Sequence, residues 1–290
     1  MEVNLETYDL IIEATEEKLL PEVSSFPVQY DRISVRKNAI RFWNTSNFDL
    51  EELRQKYAID HLDINAVPSG LSIKDFRFFA FDMDGTLIRQ ESLDELARFC
   101  GIDASFSQLT RDSMAGKIDF EASLRQRIHF FKGIPERILI EKLKDIEFSP
   151  GGEELIQFIK TQGLYSWIVT GGFDTQASFV AKKLAMDGYC CNKLSIKDAH
   201  LTGEIEGISG QTFIDARGKS REVRRIAEKL GGSIQEAICV GDGANDQFMI
   251  QEAGIGVAFH SKPILKTKTT YQINYCGLDA ISRFFIEAWQ

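Results

Sequence analysis

Residues 78–87 read Phe78-Phe79-Ala80-Phe81-Asp82-Met83-Asp84-Gly85-Thr86-Leu87. The apolar run through Phe81 predicts a strand buried on both faces, which is typical of a parallel sheet, and Gly85-Thr86 predicts a tight turn after it. Asp82 and Asp84 would then stand at the carboxyl end of that strand, where open α/β sheets bind their ligands. Two carboxylates so close together repel each other unless a cation or a shared proton lies between them.

Mg²⁺ is the simplest cation for this pair, because hard cations take carboxylate oxygens as ligands. The alternative is that both acids are solvated turn residues, as Asp before Gly often is. A second predicted strand helps to decide between these two interpretations. In Ile238-Cys239-Val240-Gly241-Asp242-Gly243-Ala244-Asn245-Asp246, an apolar run is again followed by acids, glycines and an Asn. Alone, this Gly-Asp-Gly is a common turn. Beside Asp82 and Asp84, however, Asp242 would supply a third oxygen ligand from another strand.

The composition is that of a globular protein with room for two or three modules in 290 residues. A net charge of −9, from 34 basic and 43 acidic residues, argues against generic binding to nucleic acid or anionic membranes. The first residues show no signal-peptide pattern, and no apolar run is long enough to span a bilayer, so we predict a cytoplasmic protein. The five cysteines lack C-x-x-C spacing and are predicted to be reduced.

Residues 1–75 predict a small α+β module of the ferredoxin type, with the order β-α-β-β-α-β. The expected elements are a strand at Tyr8–Ala14, a short helix at Glu16–Val23, a hairpin over Ile33–Trp43 that turns at Lys37-Asn38, a helix at Asp49–Tyr57 and a strand at His61–Val67. Pro68-Ser69-Gly70 marks the predicted boundary.

Residues 91–149 predict a helical cap over the carboxyl edge of the sheet, since this stretch is far longer than a simple crossover. Ser92 and Glu95 have capping-box spacing before Leu96–Cys100, and amphipathic patterns recur at Leu109–Met114, Phe120–Phe131 and Pro135–Ile146. A closed pocket of this kind would control the access of water.

Residues 76–90 and 150–290 together predict the core, in which strands and helices alternate as in a doubly wound sheet. The expected helices are Glu153–Gln162, Asp174–Leu184, Lys219–Leu230, Asp246–Ala253 and Leu278–Trp289, and the expected strands are Tyr165–Val169, a hairpin of Leu194–Lys197 with Thr202–Ile208, Ala237–Val240 and Ile255–Ala258. The predicted fold class is therefore α/β, with a doubly wound, Rossmann-like parallel sheet, an inserted helical cap and a small N-terminal α+β domain.

Two further motifs indicate anion binding. Thr170-Gly171-Gly172 follows a strand and is predicted to open a helix, where free amide groups and the helix dipole would cradle a phosphate. Lys219 is predicted to start a helix, where a cation is disfavoured unless an anion compensates it. The alternatives are an ordinary Gly-Gly turn and a solvated surface lysine.

Asp82-Met83-Asp84-Gly85-Thr86 resembles the Asp-x-Asp-x-Thr motif of the haloacid dehalogenase superfamily. Over roughly residues 76–290 the resemblance narrows to the phosphoserine phosphatase family. The matching residues are Glu91, Met114-Ala115-Gly116-Lys117, Phe120-Glu121-Ala122-Ser123-Leu124-Arg125-Gln126-Arg127, Gly203-Glu204-Ile205-Glu206-Gly207, the 241–246 motif and Lys262-Pro263-Ile264-Leu265. The N-terminal module similarly resembles ACT-like domains.

The resemblance implies a chemistry. Asp82 would be the nucleophile and Asp84 the general acid/base, and Mg²⁺ would bind Asp82, the backbone carbonyl of Asp84 and Asp242. Asp246 would order the site through Lys219 or a metal-bound water. The phosphate would be held by Thr170, Gly171, Gly172, Lys219 and Asn245. Two departures are Gly85 and Thr170, which stand where the family usually or often carries Ser.

The implied reaction is hydrolysis of O-phospho-L-serine to L-serine and phosphate, the last step of serine biosynthesis, through an aspartyl-phosphate. Glu91 would bind the ammonium and Arg127 the carboxylate of this small-molecule substrate, with Met114 and Phe120 as apolar walls. Without the resemblance, Glu91 is an acid at a helix start and Arg127 a surface charge. A homodimer is left open, and neither nucleic acid nor membrane is expected as a partner.

Three other functions compete with this one. A phosphatase or phosphotransferase acting on another small phosphometabolite would use the same motifs. A non-catalytic amino-acid sensor would need only the N-terminal module. A haloalkanoate dehalogenase would have no use for Asp84.

Overall fold

The computed structural model describes residues 7–15, 18, 20–102, 106–109, 118, 120–206 and 213–290. An antiparallel sheet near the N-terminus comprises β1 (Tyr8–Glu13), β2 (Arg32–Arg36), β3 (Ala39–Thr45) and β4 (Asp63–Pro68), with α1 (Leu50–Lys56) between β3 and β4. A second sheet comprises β5 (Phe78–Phe81), β6 (Tyr165–Phe173), β7 (Gly188–Lys197), β8 (His200–Glu206), β9 (Ala237–Gly241), β10 (Ile255–Phe259) and β11 (Tyr271–Ile273). The cap region contains α2 (Ser92–Phe99), α3 (Phe120–His129) and α4 (Glu136–Lys142), and the core contains α5 (Gly152–Thr161), α6 (Asp174–Lys183), α7 (Ala216–Lys229), α8 (Gln247–Glu252) and α9 (Pro263–Lys266).

The antiparallel sheet has the order β2-β3-β1-β4. The hairpin predicted around Lys37-Asn38 is confirmed, because β2 and β3 pair up to Arg36 and Ala39. The helix predicted at Asp49–Tyr57 is confirmed as α1, and the side chain of Asp49 caps it by accepting hydrogen bonds from two backbone N–H groups.

The helix predicted at Glu16–Val23 is wrong where the structure describes it. Residues 16, 17 and 19 lie outside the described ranges, residues 20–22 are not helical, and one 3₁₀ turn follows at Val23–Ser25. Pro21 gives the reason, since a proline disfavours helical dihedrals in the residue before it.

The second sheet has the order β11-β10-β9-β5-β6-β7-β8. Its neighbours pair in parallel except β7 and β8, which form the predicted antiparallel hairpin. The doubly wound parallel sheet is thus confirmed. The sequence did not predict β11, because three residues are too few to show a period.

Strand β5 lies at the centre of this sheet and is buried on both faces, as its unbroken apolar run predicted. Phe79 and Phe81 pack in one core with residues of α5 and α6, and Phe78 and Ala80 pack in another with residues of α7 and α8. All four side chains are fully buried. Leu96, Leu124 and Leu139 of the cap pack in a third core, which they share with residues of β7 and β8. No helix in the described ranges is both long and apolar enough to cross a membrane.

The predicted terminal α-helix is replaced by two 3₁₀ segments, Leu278–Phe284 and Ile286–Trp289. Leu278, Ala280, Ile281, Phe284 and Phe285 are buried, and a spacing of three to four residues between apolar positions is common to α- and 3₁₀-helices. The helix predicted at Asp246–Ala253 likewise begins with a 3₁₀ turn, Ala244–Asp246. Only the first residue of the helix predicted at Leu109–Met114 lies within the described ranges.

The N-terminal sheet is joined to the last part of the core by buried polar groups. The Asp63 carboxylate accepts the backbone N–H groups of Asn274, Tyr275 and Cys276 at 2.6, 3.0 and 2.8 Å. The amide of Asn65 accepts from and donates to the backbone of Gln272, both at 2.9 Å.

Arg41 makes a second connection from the interior of the N-terminal sheet. Its guanidinium lies 2.7 Å from the carboxylate of Asp9, and it also donates to the carbonyls of Arg283 and Phe284 at 3.3 Å. Arg41 and Asp9 are both fully buried. Because a buried charge is costly without its partners, this contact favours a close fit between the two parts.

Removing residues 1–70 is expected to leave a folded core that is less stable but keeps the metal-dependent activity that the family resemblance implies. Ile11 and Val67 belong to the same hydrophobic cluster as β5 and the C-terminal segment, so truncation uncovers apolar surface. We expect the Tm of 71–290 to fall by at least ~5 °C, measured by scanning calorimetry beside the full chain. A folded but inactive 71–290 protein would instead mean that the module completes the active site.

Candidate active site

The site lies at the carboxyl edge of the parallel sheet, where β5 and β9 are neighbours. From β5 the chain proceeds to β6 on one side, and from β9 it proceeds to β10 on the other, which makes this the switch point of the sheet. Asp82 follows β5, Asp242 follows β9, and the N–H of Asp82 donates to the carbonyl of Val240 at 2.9 Å. The two acidic strand ends are therefore adjacent.

Lys219 lies between two carboxylates at the bottom of the site. Its Nζ is 2.7 Å from Asp82 Oδ1 and 2.6 Å from Asp246 Oδ1, and all three side chains are buried. Burial alone would lower the pKa of Lys219, but Asp246 and Asp82 raise it above its usual value. Lys219 thus remains a cation beside Asp82, the residue that the family resemblance implies as the nucleophile.

Lys219 does not start its helix, contrary to the prediction. Helix α7 begins at Ala216, and Asp215 caps it by accepting the N–H of Gly218 at 2.6 Å. Lys219 is the fourth helical residue and is compensated by its two acidic neighbours.

Asp246 uses both carboxylate oxygens on donors of the protein. Oδ1 accepts from Lys219, and Oδ2 accepts from the N–H groups of Asp242 and Gly243 at 3.1 and 3.0 Å. A Cβ on Gly241 would collide with this carboxylate, so glycine is required there. Burial and then Asp82 raise the pKa of Asp246, and Lys219 opposes them.

Asp82, Asp242 and Asp246 offer oxygens that all lie within 4.8 Å of one another. Asp246 accepts from three protein donors at 2.6 to 3.1 Å, whereas the Asp242 carboxylate meets Lys262 Nζ at the longer distance of 3.6 Å, so Asp242 has the greater capacity left for a cation. Burial raises the pKa of Asp242 to about 6, and Asp82 adds to that rise. Such an excess of buried negative charge is what a metal ion would balance, so the cluster can hold one.

Asp84 is half-buried and keeps its proton more firmly than an ordinary Asp. Burial raises its pKa to about 8, whereas the hydroxyl of Ser92, which donates to Asp84 Oδ1 at 2.6 Å, opposes that rise. A carboxyl group that is protonated near neutral pH can serve as a general acid.

The contact to Asp84 corrects the prediction for Ser92. Glu91 is the N-cap of α2, and Ser92 is its first helical residue with no capping role. No local pattern indicates the bond to Asp84, because it joins the cap to the core.

Thr170, Gly171 and Gly172 lie in the extended end of β6, and α6 begins only at Asp174. The prediction that Thr170-Gly171-Gly172 opens a helix is therefore wrong. Instead, these residues lie where the register between β6 and β7 shifts, between Val169 and Phe173. Thr170 Oγ1 accepts the N–H of Gly172 at 2.9 Å. A Cβ on Gly172 would lie 3.0 Å from Met83 Cε and 3.8 Å from Asp84 Oδ2, so this segment borders residues 82–85, the acidic loop that follows β5.

Asn245 lies beside Asp82, with its Nδ2 donating to Asp82 Oδ2 at 3.4 Å. The other Asp82 oxygen, Oδ1, accepts the N–H of Met83 at 2.7 Å as well as the ammonium of Lys219. Oδ2 is thus the less constrained of the two oxygens.

Gly85 adopts a φ of +70° at the tip of the acidic loop. A Cβ there would lie 2.8 Å from both Cγ and Oδ2 of Asp242. A serine at this position would need both a strained backbone and a displaced Asp242.

Glu91 and Arg127 lie on the cap side of the site. Glu91 Oε1 accepts from Lys262 Nζ at 3.2 Å, and Arg127 Cζ is 5.7 Å from the centroid of the Phe106 ring. Burial lowers the pKa of Arg127, and the carboxylates of Asp94 and Glu91 oppose that shift. Lys262 was not singled out as a site residue, because a lysine before a proline has no local signature for this contact.

Part of the predicted substrate pocket lies outside the described residues. Met114 and its neighbours through Lys117 are outside, as is Gly207. Phe120 begins α3, but its side chain is not among those described.

Comparison with known proteins identifies the family. A family model described as haloacid dehalogenase-like hydrolase matches residues 76–254. A phosphoserine phosphatase from Methanocaldococcus jannaschii is 35% identical over 72% of this chain and 97% of its own length. One from Archaeoglobus fulgidus is 38% identical over 71% of this chain, which spans only 58% of that relative's length. The chain belongs to the haloacid dehalogenase-like hydrolases, and within them to the phosphoserine phosphatase family.

The architecture as a whole has a solved counterpart. A HAD family hydrolase from Salmonella enterica serovar Typhi superposes with a TM-score of 0.84 at 27% identity. The match covers 97% of this chain and 98% of that one, so it includes the N-terminal sheet.

Proposed function

We propose that this protein is an Mg²⁺-dependent phosphatase that hydrolyses O-phospho-L-serine to L-serine and phosphate. The observation that carries the proposal is the buried Asp82–Lys219–Asp246 arrangement beside Asp242 at the switch point of the sheet. Relatives that match most of the catalytic region are phosphoserine phosphatases, which supports the choice of substrate.

Asp82 is the proposed nucleophile. Its Oδ2 forms a bond to phosphorus while the bond from phosphorus to the seryl oxygen breaks, and that oxygen takes the proton of Asp84. Water then attacks phosphorus, Asp84 accepts the proton of that water, and the bond to Asp82 Oδ2 breaks. The raised pKa of Asp84 fits its role as proton donor in the first step.

Lys219, Thr170, the glycine amides and Asn245 are proposed to hold the phosphate oxygens. Positioning and charge supply most of the acceleration in phosphoryl transfer. Bound Mg²⁺, held by Asp82, Asp242 and the carbonyl of Asp84, would supply further charge neutralisation at the phosphate. Asp246 accepts hydrogen bonds on both carboxylate oxygens, one of them from Lys219, and is proposed to position that lysine.

Removing the metal should abolish hydrolysis. EDTA is expected to reduce the rate to background and Mg²⁺ to restore it, whereas Ca²⁺ should support little activity because it prefers larger, looser coordination shells. Initial rates of phosphate release in metal-depleted and reloaded protein measure the effect. Undiminished activity in chelator would remove the metal from the proposal.

On the cap, Glu91 is proposed to bind the substrate ammonium and Arg127 its carboxylate, with Met114 and Phe120 as walls. Arg127→Lys should raise KM for phosphoserine at least ~10-fold, because a point charge cannot replace a two-point fork. The KM for para-nitrophenyl phosphate, which has no carboxylate, should change much less. Equal losses on the two substrates would give Arg127 a structural or phosphate-binding role.

A panel of phosphomonoesters tests the proposed substrate. The highest kcat/KM should be for O-phospho-L-serine, ahead of phosphothreonine, phosphoethanolamine and sugar phosphates. A better substrate lacking the amino-acid group, or preferential transfer to homoserine, would reject the proposal. A cytoplasmic location, a role in serine biosynthesis and a homodimeric state remain predictions.

A further inference from the structure

Lys262 connects the cap side of the site to the metal-binding side. Its Nζ lies 3.2 Å from Oε1 of Glu91 and 3.6 Å from Oδ2 of Asp242. Its backbone N–H donates to the carbonyl of Asp242 at 2.9 Å, which fixes the base of the side chain beside that residue. The side chain is 44% exposed, so its ammonium can leave these partners for water.

The contact with Glu91 matters because of what Glu91 is proposed to bind. A substrate ammonium and the lysine ammonium are the same kind of donor, and both would take the same carboxylate. We propose that Lys262 is a specificity-determining residue, whose ammonium occupies Glu91 in the free enzyme and is displaced by the ammonium of the substrate. This inference rests on the proposed function and assigns a role to a residue outside the proposed catalytic and binding set.

The second contact gives Lys262 an effect on the metal site. Asp242 is a proposed metal ligand, and a positive charge 3.6 Å from one of its oxygens weakens its attraction for a cation. Lys262 thus weakens the binding of both cations in the site. It competes with the substrate ammonium for Glu91, and it repels the metal ion at Asp242.

The role proposed for Lys262 predicts a different effect of its removal on two substrates that differ only in the ammonium group. O-Phospho-L-serine must displace Lys262 from Glu91, whereas 3-phosphooxypropanoate, its deamino analogue, has no group to do so. In Lys262→Met the competing ammonium is gone while a side chain of similar length remains. The ratio of kcat/KM for phosphoserine to that for the analogue should rise about fivefold, the factor for one charge pair near 4 Å in water.

Metal binding provides a readout that does not depend on turnover. Calorimetric titration with Mg²⁺ in the absence of substrate should give a Kd about fivefold lower for Lys262→Met than for the wild type. Lys262→Arg keeps the charge and should bind Mg²⁺ like the wild type. Lys268→Met removes one charge from the same exposed segment and should change neither the substrate ratio nor the Kd.

An unchanged or lower substrate ratio in Lys262→Met overturns the inference, as does an unchanged Kd for Mg²⁺. An equal response in Lys268→Met also overturns it, because the effect would then be one of net charge. Failure of the proposed function is a separate result, namely a wild-type protein that does not hydrolyse phosphoserine. The Mg²⁺ titration would then decide the remaining role of Lys262.

Discussion

Asp82→Asn should reduce kcat by at least ~10⁴-fold while leaving the protein folded. An amide oxygen is too weak a nucleophile to form the phosphoryl bond, yet Asn has nearly the shape of Asp. Lys219 would keep Asp246 as its anion, at 2.6 Å, so the buried cation stays compensated. Turnover of phosphoserine, and the Tm in the same buffer, measure the two parts of this prediction.

A trapping experiment examines the covalent step directly. Acid-quenched wild-type protein should carry phosphate on a hydroxylamine-sensitive acyl bond, and Asp82→Asn should carry none. Asp198→Asn, in the exposed β7–β8 turn, is a matched control that should turn over at the wild-type rate. Wild-type turnover by Asp82→Asn would exclude Asp82 as the nucleophile.

Lys219→Met should impair both catalysis and stability. We expect kcat to fall ~10²-fold to 10³-fold, because a preorganised charge on the transferring phosphate is lost. The buried carboxylates of Asp82 and Asp246 would lose their shared cation, which destabilises a fold by about 3–5 kcal/mol when a buried pair is broken. The free energy of unfolding should be measured on metal-free protein, because a bound metal ion would add its own stabilisation.

The stability deficit of Lys219→Met should depend on pH. The pKa of Asp246 is already raised by burial and by Asp82, and removal of Lys219 takes away a group that lowers it. A carboxyl group whose folded pKa is raised binds more protons when folded, so stability is lost as pH rises above its unfolded value near 4. The Tm deficit should thus be greater at pH 8 than at pH 5.

Lys182→Met removes an exposed charge from α6 and should show no such trend. A deficit of equal size at both pH values would mean that Lys219 does not compensate buried carboxylates.

The centre of the fold and most of the site were predictable because their signals are local. The unbroken run of Phe78 to Phe81 indicates a strand with two buried faces, and acids that follow such strands meet at one edge of a parallel sheet. Strand ends alone are therefore enough to group Asp82 with Asp242. Lys219 was assigned to the same site only through the family resemblance. Its local sequence wrongly predicted that it is the first residue of α7.

The remaining features depend on contacts between distant parts of the chain. Ser92 has capping-box spacing with Glu95, but its hydroxyl binds Asp84 once the cap meets the core. Lys262 has no pattern that indicates Glu91 as its partner. Thr170 and its glycines follow an apolar strand, and only the shifted pairing with β7 shows that the strand continues through them.

The hydrogen bonds between the N-terminal sheet and the C-terminal segment also constrain the order in which parts of the chain can complete their folding. During synthesis, β1 to β4 leave the ribosome first, but the amide groups that bind Asp63 belong to residues 274–276. Contacts over more than 200 positions form slowly, because a long loop must close before they yield any stabilisation. The first sheet should therefore reach its final protection from hydrogen exchange only after the last strand, β11, has joined the core.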